Sequence, residues 1–132
     1  SFYDTLNLAS IIEKEAGTEI EMPLISGVFY NRLNKRTLLE SCATVDYALG
    51  GPKKPILSFS DLEISSPYNT YKHKGLPPTP IAAPGKRAFL AALNPKKTAY
   101  FFFVSKNDGS GTHIFSKTFS EHLKNQQLTL AK

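Results

Sequence analysis

Apolar residues recur at helical spacing near the start of the chain. On a helix each residue turns by about 100°, so Leu8, Ile11, Ile12 and Glu15 share one side. Asn7, Ser10 and Lys14 fall on the other. The pattern predicts a helix that begins at Asp4 or Thr5, either of which can serve as N-cap, and stops at Gly17. A second helix is expected over 22–35, with Pro23 in its first turn and an apolar side made by Ile25, Val28, Phe29 and Leu33. Asn31 and Arg32 near its end are read as solvent-facing or capping. A third helix over 44–49 would be capped by Thr44 and closed by Gly50-Gly51. Residues 52–55 read as an exposed loop. Ser60 and Glu63 have capping-box spacing for a single helical turn.

The pattern then changes. Five of the chain's nine prolines fall within 66–85. Proline at that density rules out a helix interior or a central strand, yet Tyr68, Tyr71, Leu76 and Ile81 give the segment something to pack with. It reads as a rigid, ordered loop of the kind that builds binding sites. A short helix follows over 85–93, ended by Asn94-Pro95. Aromatic and β-branched residues predict a strand over 99–105. A turn rich in residues tolerant of positive φ covers 107–111, and a returning strand covers 112–115. A last helix over 118–130 is expected to pack through Phe119, Leu123 and Leu128. No internal repeat stands out. The fold class is α+β: several helices packed around a small antiparallel β-hairpin or sheet, without the strand–helix alternation of a parallel sheet.

A chain of 132 residues supports one domain with a modest core, 1–132. It opens inside a helix-like pattern, as a fragment of a longer protein would. No run of eighteen apolar residues and no signal-peptide pattern is present. The formal net charge is +5, with small clusters at Lys53-Lys54, Lys72-His73-Lys74, Lys86-Arg87 and Lys96-Lys97. Such clusters suit an anionic partner (a wall polymer, a phospholipid surface, nucleic acid), but a solvated, solubilising surface is the plainer reading. The single Cys42 excludes an internal disulfide and is read as a small buried residue.

The three histidines are not at metal-ligand spacing, and one cysteine cannot form a zinc cluster, so no metal is expected. No phosphate-binding loop and no serine or cysteine nucleophile motif occurs. Carboxylate chemistry remains. Glu13 and Glu15 point about 160° apart on a helix and cannot act as a close pair. Glu15 sits at the edge of the apolar stripe, where desolvation would disfavour the ionised form and favour a proton donor near neutral pH; the helix alone leaves open a surface glutamate paired with a neighbouring lysine, since charged residues often flank such a stripe. Tyr68, Asn69 and Tyr71 could offer stacking and amide contacts to a sugar.

Several stretches resemble, in order and across nearly the whole chain, the YceG-like family of endolytic murein transglycosylases. Leu8-Ala9-Ser10-Ile11-Ile12-Glu13-Lys14-Glu15 is similar to the family's signature helix, and Val28-Phe29-Tyr30-Asn31-Arg32-Leu33 to its next motif. Ser66-Pro67-Tyr68-Asn69-Thr70-Tyr71 and Gly75-Leu76-Pro77-Pro78 through Ile81-Ala82-Ala83-Pro84-Gly85 resemble its most distinctive stretch. Tyr100 to Val104 with Gly111-Thr112-His113-Ile114-Phe115 resembles its C-terminal hairpin. One motif departs. Where many members read Leu-Gln-Thr/Ser-Asp-Pro-Thr-Val, this chain reads Leu39-Glu40-Ser41-Cys42-Ala43-Thr44-Val45.

The resemblance implies a lytic transglycosylase that cuts nascent glycan strands between MurNAc and GlcNAc and leaves 1,6-anhydroMurNAc ends. Its catalytic acid falls on Glu15. Glu40, Tyr68, Asn69, Tyr71 and His113 become candidates for holding the glycan, with no cofactor. Peptidoglycan is the implied partner, together with wall-synthesis proteins; nucleic acid is not. The family's single N-terminal membrane anchor and LysM-like region are not among these residues, so the resemblance implies a catalytic domain held at the inner membrane on its extracytoplasmic side. The competing expectation is a non-catalytic peptidoglycan-binding module in which Glu15 is structural.

Overall fold

The computed structural model describes residues 1–51 and 56–130; the loop expected over 52–55 lies outside them. In chain order the elements are α1 (Phe2–Glu15), α2 (Met22–Asn34), α3 (Cys42–Leu49), α4 (Phe59–Leu62), α5 (Lys86–Leu93), β1 (Phe102–Ser105), β2 (His113–Ser116) and α6 (Phe119–Leu130). The α+β class holds. The strands form one antiparallel pair, with Phe103 opposite Phe115 and Ser105 opposite His113.

The core is mainly helical. Leu8, Ile11 and Ile12 of α1 meet Ile25 and Phe29 of α2 and Ala88, Ala91 and Ala92 of α5. Small residues on α5 let it lie close against α1. The hairpin joins the core where Phe103 meets Phe29 edge-on, with ring centroids 5.8 Å apart.

The polar side of α1 is also covered. Asn7 and Ser10 are buried, and with Glu13 they form a ladder at i+3 spacing that holds the proline loop. The Asn7 amide donates to the Pro77 carbonyl at 2.7 Å. The Ile81 N–H donates to Ser10 Oγ at 3.0 Å, and the Gly85 N–H to Glu13 Oε1 at 2.7 Å. Loop backbone that could not pair with itself is satisfied by one helix face, which makes the segment ordered as expected.

Several local expectations are corrected. α1 starts earlier, because Ser1 rather than Asp4 or Thr5 is its N-cap: Ser1 Oγ accepts from the Asp4 N–H at 3.1 Å. α3 starts at Cys42, so Thr44 lies inside it. α4 is set by a capping box between Ser58 and Asp61, two residues before the expected pair. Gly50 closes α3 in the left-handed region, φ 71°. On α6, Phe119 meets the Phe102 ring of β1, with centroids 5.9 Å apart, as expected, although it stays largely exposed; Leu123 and Leu128 are exposed while Thr129 is buried, against the expectation. His122, Asn125 and Gln126 are half-buried beside Thr129.

Candidate active site

A groove of about 550 Å³ runs between the helical core and the hairpin. α1 ends on it with Glu15. The turn before α3 adds Glu40 and the start of α3 adds Cys42, the proline-rich loop adds Tyr71, and the strands add Phe102 and His113. α4 and α6 complete it with Phe59, Phe119 and His122.

Glu15 is half-buried in the groove wall. Its Oε1 accepts a hydrogen bond of 3.3 Å from the Ala43 N–H in the first turn of α3. That N–H belongs to the set a helix leaves unpaired at its start. Glu13, two residues back, is turned away to Gly85, as the helical angle requires.

A hydroxyl cluster joins the loop to the start of α3. The Ser41 N–H donates to Thr70 Oγ1 at 2.9 Å, and Thr70 shares a 2.7 Å hydrogen bond with Thr44. The Glu40 N–H donates to the Thr70 carbonyl at 3.2 Å. These contacts bring the next residue, Tyr71, beside Cys42, with its hydroxyl 3.3 Å from Sγ. Burial pushes the Tyr71 phenol well above the ordinary tyrosine value, and neighbouring Cys42, Glu15 and Glu40 push it further. Tyr71 therefore keeps its proton and can donate.

Arg32 anchors the groove beneath Glu40. Its Nε donates to the Phe101 carbonyl at 2.6 Å and one terminal nitrogen to the Leu38 carbonyl at 2.8 Å. That nitrogen also lies 3.3 Å from Glu40 Oε2, and the guanidinium sits 4.6 Å from the centroid of the Phe102 ring. Burial lowers the Arg32 pKa and Glu40 opposes this; the group stays charged. Glu40 itself adopts φ 51°, unusual for a residue with a Cβ.

Of the six residues expected at the site, four meet on the groove: Glu15, Glu40, Tyr71 and His113. Tyr68 and Asn69 do not line it. Asn69 is fully buried, and its amide donates to the Leu62 and Ile64 carbonyls at 2.9 Å each, so it shapes the turn that carries Tyr71. Tyr68 packs on Tyr47 with centroids 4.9 Å apart and shares a 2.8 Å hydrogen bond with Thr79. Cys42, expected to be buried, is exposed on the groove. Arg32, expected to face solvent or cap its helix, is buried. Its spacing from Ile25, Val28 and Phe29 placed it on their side of α2, and that signal could have found it. Glu21, which holds His113, was not singled out at all.

Among the described residues no group of three His, Cys, Asp or Glu side chains is placed to hold a metal ion. No helix among them is long and apolar enough to cross a membrane.

The YceG-like family model matches residues 1–128. An endolytic murein transglycosylase of Bacillus subtilis is 47% identical over 124 residues, covering 94% of this chain and 34% of that protein. One from Streptococcus pneumoniae is 38% identical over 106 residues, covering 77% of this chain and 19% of that protein. A crystal structure of a YceG-like protein from Listeria monocytogenes superposes with a TM-score of 0.86 at 47% identity, over 92% of this chain and 39% of that one. The chain thus spans about a third or less of the length of the two named transglycosylases. Over nearly all its residues, it belongs to the YceG-like family.

Proposed function

We propose that this chain is the catalytic domain of an endolytic lytic transglycosylase that cleaves the β-1,4 bond between MurNAc and GlcNAc in peptidoglycan strands. One observation carries the reading: the acid on the signature helix, Glu15, stands on the wall of a groove and not on open surface. The names of relatives at 47% and 38% identity support it.

In the reaction protonated Glu15 donates to the glycosidic oxygen, and the C1–O bond breaks through an oxocarbenium-like state. The GlcNAc side leaves as an alcohol. Glu15, now a carboxylate, takes the proton of the MurNAc C6 hydroxyl, whose oxygen closes on C1 to give the 1,6-anhydro end. No water is consumed and the acid is regenerated. Because the nucleophile belongs to the substrate, a single carboxylate suffices. Tyr71 donates a hydrogen bond to the glycan from beside Glu15. Arg32 holds Glu40 so that its charge is partly met within the protein. His113 faces the glycan from the hairpin.

Action on murein puts the site on the extracytoplasmic side of the inner membrane. A single membrane-spanning anchor outside these residues would hold it there, near the proteins that build the wall.

Mass spectrometry of uncrosslinked glycan strands after incubation with the chain tests the reading. Anhydro-terminated fragments from internal cuts are expected, and Glu15→Gln should abolish them while strand binding persists. Binding without any anhydro product from the unaltered chain would identify a glycan-binding module and overturn the proposal.

A further inference from the structure

Glu21 stands at the N-cap position of α2, yet its side chain makes no capping bond. Both carboxylate oxygens go instead to one residue 92 positions away: Oε2 accepts the backbone N–H of His113 at 3.0 Å, and Oε1 lies 2.8 Å from His113 Nδ1. Both side chains are almost out of solvent, at 12% and 10% exposure. The imidazole is edge-on to Phe103, with centroids 5.3 Å apart, and its residue pairs with Ser105 in the sheet. The ring position is therefore fixed from three directions, and it borders the groove.

An ionised carboxylate only accepts hydrogen bonds. The backbone N–H must donate to one oxygen, so Nδ1 must carry a hydrogen to bond the other. In the neutral ring that leaves Nε2 bare. We infer that Glu21 is a positioning residue: it fixes His113 in the tautomer whose Nε2 meets the groove as an acceptor for a sugar hydroxyl. The sugar rests on the function proposed above; the tautomer does not.

Glutamine separates positioning from mere packing. In Glu21→Gln the amide oxygen can still accept the backbone N–H, but the amide NH2 then donates to Nδ1. Both bonds survive only if the ring hydrogen moves to Nε2. The groove then meets a donor where it had an acceptor, with the shape unchanged.

Long-range proton–nitrogen NMR correlations on the 15N-labelled chain read the tautomer directly, at a pH above the ring's titration as located in the same spectra. The expected result is hydrogen on Nδ1 in the unaltered chain and in Glu21→Asp, and on Nε2 in Glu21→Gln. Glu21→Gln should also lower kcat/KM on glycan strands roughly 10- to 100-fold, with unfolding unchanged. Hydrogen on Nε2 in the unaltered chain overturns the inference even if no variant folds. So does a Glu21→Gln tautomer that stays put, or one that reverses with cleavage intact. If the unaltered chain cuts no glycan, the proposed function fails while the spectra still decide the Glu21–His113 pair.

Discussion

Gly17 and Gly111 meet backbone to backbone. A Cβ on Gly17 would overlap the Gly111 carbonyl, and one on Gly111, whose φ is 75°, would stand 3.0 Å from the Gly17 oxygen. Gly17 follows Glu15 by two residues, and Gly111 precedes His113 by two. This contact therefore joins the segment that follows the acid to the segment that leads into the imidazole. Neither neighbour is a flexible side-chain end, so the backbones must part to admit a methyl group. Gly17→Ala should cost about 1–3 kcal/mol and reduce cleavage. Gly51→Ala, with open space around the added carbon and no positive φ, should leave both nearly unchanged. Urea unfolding and glycan cleavage of the two variants check this.

Glu13 and Glu15 divide structure from chemistry. Glu13 accepts the Gly85 N–H at the start of α5, so its carboxylate meets both an unpaired donor and the positive end of a helix. Glu13→Gln should cost about 1 kcal/mol, visible as a lower urea midpoint, and should leave cleavage per folded molecule intact. A loss of cleavage as deep as that expected from Glu15→Gln would mean that the acid has been assigned to the wrong carboxylate.

Arg32 ties α2 to the strand that carries Phe102. Replacing it with methionine keeps most of the stem but leaves the Phe101 and Leu38 carbonyls without the donor they now meet. A loss of about 1–3 kcal/mol is expected for those carbonyls. The ion pair itself adds little, because the Glu40 side chain is 41% exposed. Lysine should recover only part of the loss, since one ammonium cannot reproduce the guanidinium fork. Thermal unfolding of the two variants ranks them.

Periodicity made the helices and the acid legible. The stripe of Leu8, Ile11 and Ile12 is buried as its spacing required, and it carried Glu15 to the groove. What stayed hidden depended on partners distant in sequence. Asn7 and Ser10 are buried because the proline loop returns to them some seventy residues later. Nothing local ties Glu21 to His113. Thr70 looked like one more loop residue until α3 supplied Ser41 and Thr44 as its partners. On α6 residue type misled in part: Phe119 and His122 meet Phe102 of the sheet and Thr129 is buried, while Leu123 and Leu128 are exposed.

Cys42 gives the groove a chemical handle. Its thiol is exposed and lines the same groove as Glu15. A bulky maleimide on it should fill part of the space the glycan needs and stop cleavage without unfolding the chain. Cys42→Ser should cleave normally and resist the reagent. Full cleavage by the fully labelled protein, with labelling verified by intact mass, would show that the glycan runs elsewhere.

His122 makes the wall of the groove sensitive to acid. Its ring stacks on Phe102, 5.0 Å between centroids. Burial, then the Arg32 charge, pushes its pKa below the ordinary histidine range, with Glu40 opposing. The folded ring therefore binds its proton later than the unfolded one as pH falls. Above the ordinary range both states are neutral and the group contributes nothing. As pH drops through that range the unfolded chain protonates first, so stability declines until the folded ring protonates as well. His122→Gln should remove that part of the decline and leave stability at higher pH almost unaltered. Urea midpoints of both proteins, measured from mildly alkaline to mildly acidic solution, should converge in slope above the histidine range and diverge below it.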